Sequence, residues 1–281
     1  MFFFVFLHNK YISMSAPIIT LTTDWGSQDF FAGMVKGWLY SNVPNLRIVD
    51  ITHDIPPFDL LHTAFVVKQA CTRFPKGTIH IIDVNSIAFD DHNFVVVVYR
   101  DQYYICTDNG LPSLVFGDKW TSATTLLMPP DVVTSTFVAY HLFCKVAALI
   151  ATEAIPVSEL GPARTALVPC NMVEPIESAN NIVATIQYID SYGNAYLNLS
   201  YKRFEELRRG RNFVIHIREF TITKITPTYG VYDSSSKQIP QSMQLSVSAS
   251  GFMEICINHN NAKDLLGLKV MTNIRIEFTG D

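Results

Sequence analysis

The alternation of apolar and polar positions divides the chain into two regimes. Through residue 155, short β-rich apolar runs alternate with stretches of helical spacing. Ile18-Ile19-Thr20-Leu21 predicts a strand, and Phe30, Phe31, Met34, Val35, Trp38 and Leu39 then recur as on one face of a helix. Leu46–Ile51 predicts a second strand, Leu60–Phe74 a second helix and Thr78–Val84 a third strand. Pro56-Pro57 forces a loop before that second helix, and Pro75-Lys76-Gly77 closes it. Phe94–Tyr99 and Tyr103–Thr107 flank a polar turn and predict a hairpin, and Ser135–Ala151 predicts a buried helix. The order β-α-β-α-β predicts an α/β domain with a mainly parallel central sheet.

From Glu153 to Ser178 the periodicity fails among Pro156, Gly161-Pro162, Pro169 and Pro175. Beyond it come short strands at Ile182–Ile189, Ala195–Leu199, Asn212–Ile217, Phe220–Ile225, Met243–Val247, Phe252–Ile257 and Ile274–Phe278. Only Tyr201–Leu207 and Ala262–Leu266 read as helices. That spacing predicts an all-β barrel-like domain. The expected organisation is an extension over 1–16, an α/β domain over 17–155, a linker over 156–178 and the β domain over 179–281. Ser234-Ser235-Ser236 predicts a mobile turn.

Composition narrows the partners. The 281 residues are 48% apolar and 16% charged, which describes a folded chain with a sizeable core. A net charge of −4 with scattered Lys and Arg argues against nucleic acid. Five widely spaced cysteines without a CxxC pair argue against a disulfide framework and a zinc site, and fit a cytoplasmic location. Met1–Leu7 is apolar but lacks a basic flank and runs into His8-Asn9-Lys10, so it reads as an upstream extension rather than a signal peptide. No later run reaches the roughly 20 apolar residues of a membrane span.

The polar groups with chemical potential stand where strands end. Asp24 follows the first strand, Gly26 permits a sharp turn, and Asp29 precedes the first helix. These carboxylates read either as caps or as ligands for a sugar diol or an amine beyond the carboxyl edge of the sheet. Asp108-Asn109-Gly110 marks a further strand end. In the second domain, Asp190-Ser191-Tyr192-Gly193-Asn194 combines a carboxylate, an aromatic face and an amide, suited to an amine, a ring and a base edge. It reads equally as a hairpin turn closed by an Asx residue.

Taken in order, these segments resemble the S-adenosyl-L-methionine (SAM) hydroxide adenosyltransferases, the hydrolase branch of the group that includes SAM-dependent fluorinases and chlorinases. The resemblance runs from Ile18 to Phe278. It rests on Thr23-Asp24-Trp25-Gly26 with Asp29, Ile48-Val49-Asp50-Ile51-Thr52-His53 with Pro57-Phe58, and Phe74-Pro75-Lys76-Gly77-Thr78-Ile79-His80. Asp108-Asn109-Gly110-Leu111, Asp190 with Tyr192-Gly193-Asn194, and Ser250-Gly251-Phe252-Met253-Glu254-Ile255 complete it.

The resemblance implies hydrolysis of SAM to adenosine and L-methionine by water or hydroxide at the ribose 5′-carbon. It implies SAM as the sole small-molecule ligand, no metal or separate cofactor, and a homotrimer whose ligand lies between one subunit's N-domain and its neighbour's C-domain. By motif position, Asp24 would hold the ribose hydroxyls and Phe58 would pack on the nucleoside, with Trp25, Asp29 and Asn109 in the same substrate-binding set. Asp190 would meet the methionine ammonium, Tyr192 and Asn194 would contact adenine, and Ser250, Phe252 and Glu254 would line the same end.

The chain departs from the family at its catalytic set. The family's aspartate and arginine in the loop after the third strand fall on Asn85 and His92, and its histidine falls on Val138. His141, three residues further on, and His92 are the titratable replacements, while the Asn85 amide can position a water. His141 also reads as a core or interface histidine, and His92 as a solvated loop residue. Phe31 fills the place where a halide pocket needs a small hydroxyl, which argues against a halogenase. The alternatives are a non-catalytic SAM- or adenosine-binding protein and a nucleoside enzyme with another nucleophile.

Overall fold

The computed structural model describes residues 16–87, 93–133, 135–226 and 243–280. The chain runs β1 (Ile18–Thr23), α1 (Phe31–Asn42), β2 (Arg47–Thr52), α2 (Leu60–Ala70), β3 (Ile79–Asp83), β4 (Phe94–Tyr99), β5 (Gln102–Thr107), α3 (Leu111–Phe116), β6 (Ser122–Thr125), α4 (Pro130–Val133) and α5 (Cys144–Ala151). After these come β7 (Ile176–Glu177), β8 (Asn181–Ile189), β9 (Ala195–Ser200), α6 (Tyr201–Arg208), β10 (Asn212–Ile217), β11 (Phe220–Ile222), β12 (Met243–Val247), β13 (Phe252–Ile257), α7 (Ala262–Leu266) and β14 (Asn273–Thr279). Two compact units result. One holds the chain through Phe58, Ala70–Pro112 and Asp118–Val168; the other holds Asp59–Gln69, Ser113–Gly117 and everything from Pro169.

The first unit carries a six-stranded sheet in the order β2-β1-β3-β5-β4-β6. The pairs β1·β2, β1·β3 and β3·β5 are parallel, whereas β4·β5 and β4·β6 are antiparallel. The sheet is therefore mixed, not mainly parallel. The predicted hairpin turns the chain back beside β3, and β6 extends that antiparallel edge. Every residue of β3 is buried, which is why this strand reads as a mostly apolar run, interrupted by His80 and closed by Asp83. Ile19, Leu21, Ile79, Ile81 and Ile105 of the sheet share one core with Val35 and Leu39 of α1 and with Phe143 and Ala147.

The predicted helix over 135–151 is real from Val138 but begins with a π-turn, Ala139–Phe143, before α5. Asp29 does not cap α1. Phe30 occupies the N-cap position and no side chain bonds there, because the chain stays in bends through residue 30.

In the second unit the strands follow the path β11-β10-β14-β8-β9-β13-β12, with β7 on β8, and every pair is antiparallel. Beyond β11, Ile225 bridges Leu245 of β12 and Thr226 N–H donates to the Leu245 carbonyl at 2.8 Å. The two ends of the path thus meet and the sheet is nearly a barrel. The predicted strand over 220–225 stops at Ile222. Ser234-Ser235-Ser236 lies outside the described residues.

Candidate functional site

In the first unit, β1 leads to β2 on one side and β3 lies on the other, so the strand order reverses between β1 and β3. Ligands of open α/β sheets bind at the carboxyl ends flanking such a reversal. The residues there are Asp24 and Asp83. Thr23 and Asp83 are register partners, and the Asp24 N–H donates to the Asp83 carbonyl at 3.4 Å. Asp24 Oδ2 accepts from the Phe58 N–H at 3.0 Å. Phe58 adopts φ 66°, a left-handed conformation uncommon for a bulky residue, and the residue is 61% exposed. The Asp24 carboxylate keeps acceptor capacity beyond that one bond.

Trp25 joins the cluster from the turn after β1. Its Nε1–H donates to Asp83 Oδ2 at 2.7 Å, its indole stacks on His53 with centroids 5.7 Å apart, and Phe137 meets it edge-on at 5.2 Å. His53 Nδ1 is 2.8 Å from Thr23 Oγ1, and its Nε2 lies 3.2 Å from Asp50 Oδ1. Burial pushes the Asp83 carboxyl up to about 6, with the Asp24 charge adding to the rise and the Ser86 hydroxyl and Trp25 indole opposing it.

Asn85 follows in a left-handed conformation, φ 53°, and its carbonyl accepts from Asn109 Nδ2 at 3.3 Å. Asn109 Oδ1 accepts from the Leu111 N–H at 3.3 Å, at the start of α3. Asp24, Trp25, Phe58, Asn85 and Asn109 therefore belong to one edge.

Three other predicted positions stand differently. Asp29 is exposed and makes no bond to this cluster among the described residues. His141 lies in the π-turn, half-buried, in edge-on contact with Tyr140, which stacks on Phe137. It therefore reaches Trp25 only through two intervening rings. Val138 is 3% exposed within the core, and His92 lies outside the described residues. Phe31 packs against Phe30 and Phe137.

In the second unit, the β8–β9 hairpin loop is closed by Asp190. Its Oδ1 accepts from the N–H groups of Tyr192 (3.0 Å) and Asn194 (2.9 Å). Its Oδ2 accepts from Asn194 Nδ2 at 3.0 Å and from the Tyr196 hydroxyl at 3.3 Å. Tyr192 is 78% exposed and, with Asn194 and Asn258–Asn261, lines an open cleft of about 520 Å³. Tyr188 and Tyr196 face each other across β8 and β9, and Phe65 of α2 stacks on Tyr188 at 4.4 Å. Phe252 lies 6.0 Å from Phe65, and His62 meets Tyr188 edge-on, its pKa lowered by burial against the opposing pull of Asp59.

Glu254 is buried mid-strand opposite Tyr196 and Ser246. Burial first, then the charges of Glu254 and Asp190, push the Cys256 thiol up to about 11 despite the opposing Ser246 bond. Ser250 sits in the β12–β13 turn, its hydroxyl 2.7 Å from that of Ser248. Within the first unit, the strand edge pairs the Asp24 and Asp83 carboxylates with the Trp25 indole, a set suited to a cationic ligand with a flat ring.

Residues 19–161 match the model of the SAM hydroxide adenosyltransferase N-terminal domain, and residues 184–275 match that of its C-terminal domain. The chain belongs to the SAM hydroxide adenosyltransferase family. Over 271 residues it is 27% identical to the (R)-S-adenosyl-L-methionine hydrolase of Salinispora tropica, a match covering 92% of this chain and 97% of that one. A fluorinase of Actinoplanes sp. is 33% identical over 63 residues only, 22% of this chain and 21% of its own. The crystal structure of an uncharacterized conserved protein from Thermotoga maritima superposes with a TM-score of 0.79 at 21% identity, covering 92% of this chain and 99% of that one, a likeness of fold.

Pattern reading passed over Asp83 and His53 at the strand edge of the first unit and, separately, the Tyr188–Tyr196 pair within the second. Asp83 was findable by the logic that found Asp24, since it too ends an apolar strand with a carboxylate. His53 and the tyrosines carry no such signal, because their roles arise from contacts across strands and turns.

Proposed function

We propose that the chain binds SAM and hydrolyses it to adenosine and L-methionine. What carries this reading is the extent of the likeness: both halves match the family's domains, and a hydrolase aligns along nearly the whole chain. The fluorinase likeness is confined to 63 residues. In the reaction, water attacks the ribose 5′-carbon in line with the sulfonium, and methionine leaves as a neutral thioether. The leaving group is already activated, so the protein has to orient water, accept a proton and exclude solvent around a charge that vanishes.

In this proposal Asp24 receives the ribose hydroxyls and Phe58 packs on the nucleoside, with Trp25, Asp29 and Asn109 beside them. Asp190 meets the ammonium, Tyr192 and Asn194 hold adenine, and Ser250, Phe252 and Glu254 complete that end. No metal or cofactor is invoked. The proposal extends to a homotrimer with its sites at subunit boundaries, and to the cytoplasm, a location supported by five free thiols. Among the described residues no helix is long and apolar enough to cross a membrane.

A second reading, a non-catalytic SAM or adenosine binder, is favoured by one observation. By motif position in the resemblance, the family's histidine falls on Val138, which lies in the core, and its aspartate falls on Asn85. Incubation of purified protein with SAM, followed by chromatography of adenosine and methionine, separates the two. Protein-dependent adenosine that is insensitive to halide supports the hydrolase. Tight binding without turnover supports the binder and overturns the hydrolase.

A further inference from the structure

Asn85 cannot take a proton from water, so the proposed reaction needs another acceptor at the same edge. Asp83 has four properties of one. It ends β3 on one flank of the reversal in strand order, with Asp24 on the other. It is 6% exposed. The Trp25 indole anchors its Oδ2. Its Oδ1 is buried with no hydrogen bond of ordinary geometry among the described residues, the Ser86 hydroxyl lying close enough to the carboxylate to favour its charge, whereas buried carboxylate oxygens are otherwise nearly always well bonded.

We infer that Asp83 is the proton acceptor for the water that attacks SAM, restoring two positions earlier the carboxylate that Asn85 replaces. This inference rests on the hydrolase reading. As the new O–C5′ bond forms, the C5′–S bond breaks with its electron pair passing to sulfur. One water proton moves to Asp83 Oδ1 and later to solvent, and the other remains on the 5′-hydroxyl of adenosine. The buried position suits a water enclosed with the substrate rather than one exchanging with bulk solvent.

The surrounding titratable groups are consistent with this role. Asp24 beyond β1 opposes a second negative charge, and the Ser86 hydroxyl and Trp25 indole favour it. On α5, burial and the Asp83 charge push the Cys144 thiol up to about 12, so it stays neutral near pH 7. An acceptor near 6 is deprotonated at neutral pH yet still basic enough to accept a proton. Trp25 acts as a positioning residue, holding one oxygen so that the other faces the reacting water.

The test begins with the pH dependence of kcat for the unaltered protein, which should rise with a midpoint near 6 and then level off. Asp83→Asn should lower kcat by about 100-fold or more while KM stays within about threefold, and the rise should vanish. Adding Asn85→Asp to that variant should recover about tenfold or more of the rate. Trp25→Phe should move the midpoint to higher pH, because the lost indole bond favoured the charged form. A flat wild-type profile between pH 5 and 8, or Asp83→Asn turnover equal to wild type, overturns the role of Asp83 and leaves the hydrolase reading standing. A wild-type protein that releases no adenosine overturns that reading, and this inference with it.

Discussion

Asp24 and Gly193 show how much a single residue can decide. One Asp24 oxygen holds the backbone of Phe58, whose left-handed conformation that bond secures. Asp24→Asn keeps an acceptor but removes the charge, so SAM affinity by calorimetry should fall by about tenfold or more, on the scale of a charge-assisted hydrogen bond. A substitution that leaves affinity unchanged removes Asp24 from the binding set. Gly193 has φ +83°, and a Cβ there would lie 2.0 Å from Asn261 Oδ1, the oxygen that caps α7. Gly193→Ala should therefore destabilise the second unit by about 1–3 kcal/mol in thermal melts. A melt equal to wild type would mean the β8–β9 turn can move away from α7. Of these features, the sequence displayed the Asp24 strand end and the Asp190 turn. It did not display that Asp190 accepts hydrogen bonds from Tyr192, Asn194 and Tyr196 of its own hairpin, because that depends on how tightly the loop closes.

At the scale of an element, β3 holds two buried groups whose protonation couples to folding in opposite senses. Burial lowers His80 to about 3 from 6.5, with its Nδ1 2.7 Å from Thr20 Oγ1 and its ring stacked on Tyr104. The unfolded chain takes up that proton more readily, so the His80 contribution is complete above 6.5 and lost as pH falls toward 3. Asp83 is raised from 3.8 to about 6, so its contribution is complete below 3.8 and lost as pH rises through 6. The two trends oppose each other between about 4 and 6. Denaturant unfolding should show His80→Gln losing less stability than wild type on acidification through that window. Asp83→Asn should gain on wild type as pH rises through the same window. Variant and wild-type curves that run parallel would contradict both. The strand itself was plain as an apolar run, but its place between β1 and β5 was not, and both shifts come from that burial. Helix α3 and strand β6 escaped notice for simpler reasons. The first is six residues with a proline at its second position, and the second is Ser-Ala-Thr-Thr, with no large apolar side chain to mark a face.

At the scale of the whole molecule, the change from alternating helices and strands to strands alone was visible in the hydrophobic pattern, and it matches a mixed α/β unit followed by a nearly closed antiparallel sheet. Strands β10 and β13 and helix α7 coincide with their predicted limits, because each is bounded by turn-forming or capping residues. The mixed character of the first sheet was less legible, since pairing direction at its edge depends on where β6 returns. The proposed trimer predicts a threefold-chain mass by light scattering, and a monomeric mass with full activity would contradict a site completed by a neighbour. The central claim is that water attacks the ribose carbon of SAM at this chain's site. Its most direct test is turnover in oxygen-18-labelled water with mass spectrometry of both products. The label is expected in the 5′-hydroxyl of adenosine and absent from methionine. Adenosine without label, label in methionine, or no adenosine at all would contradict the account.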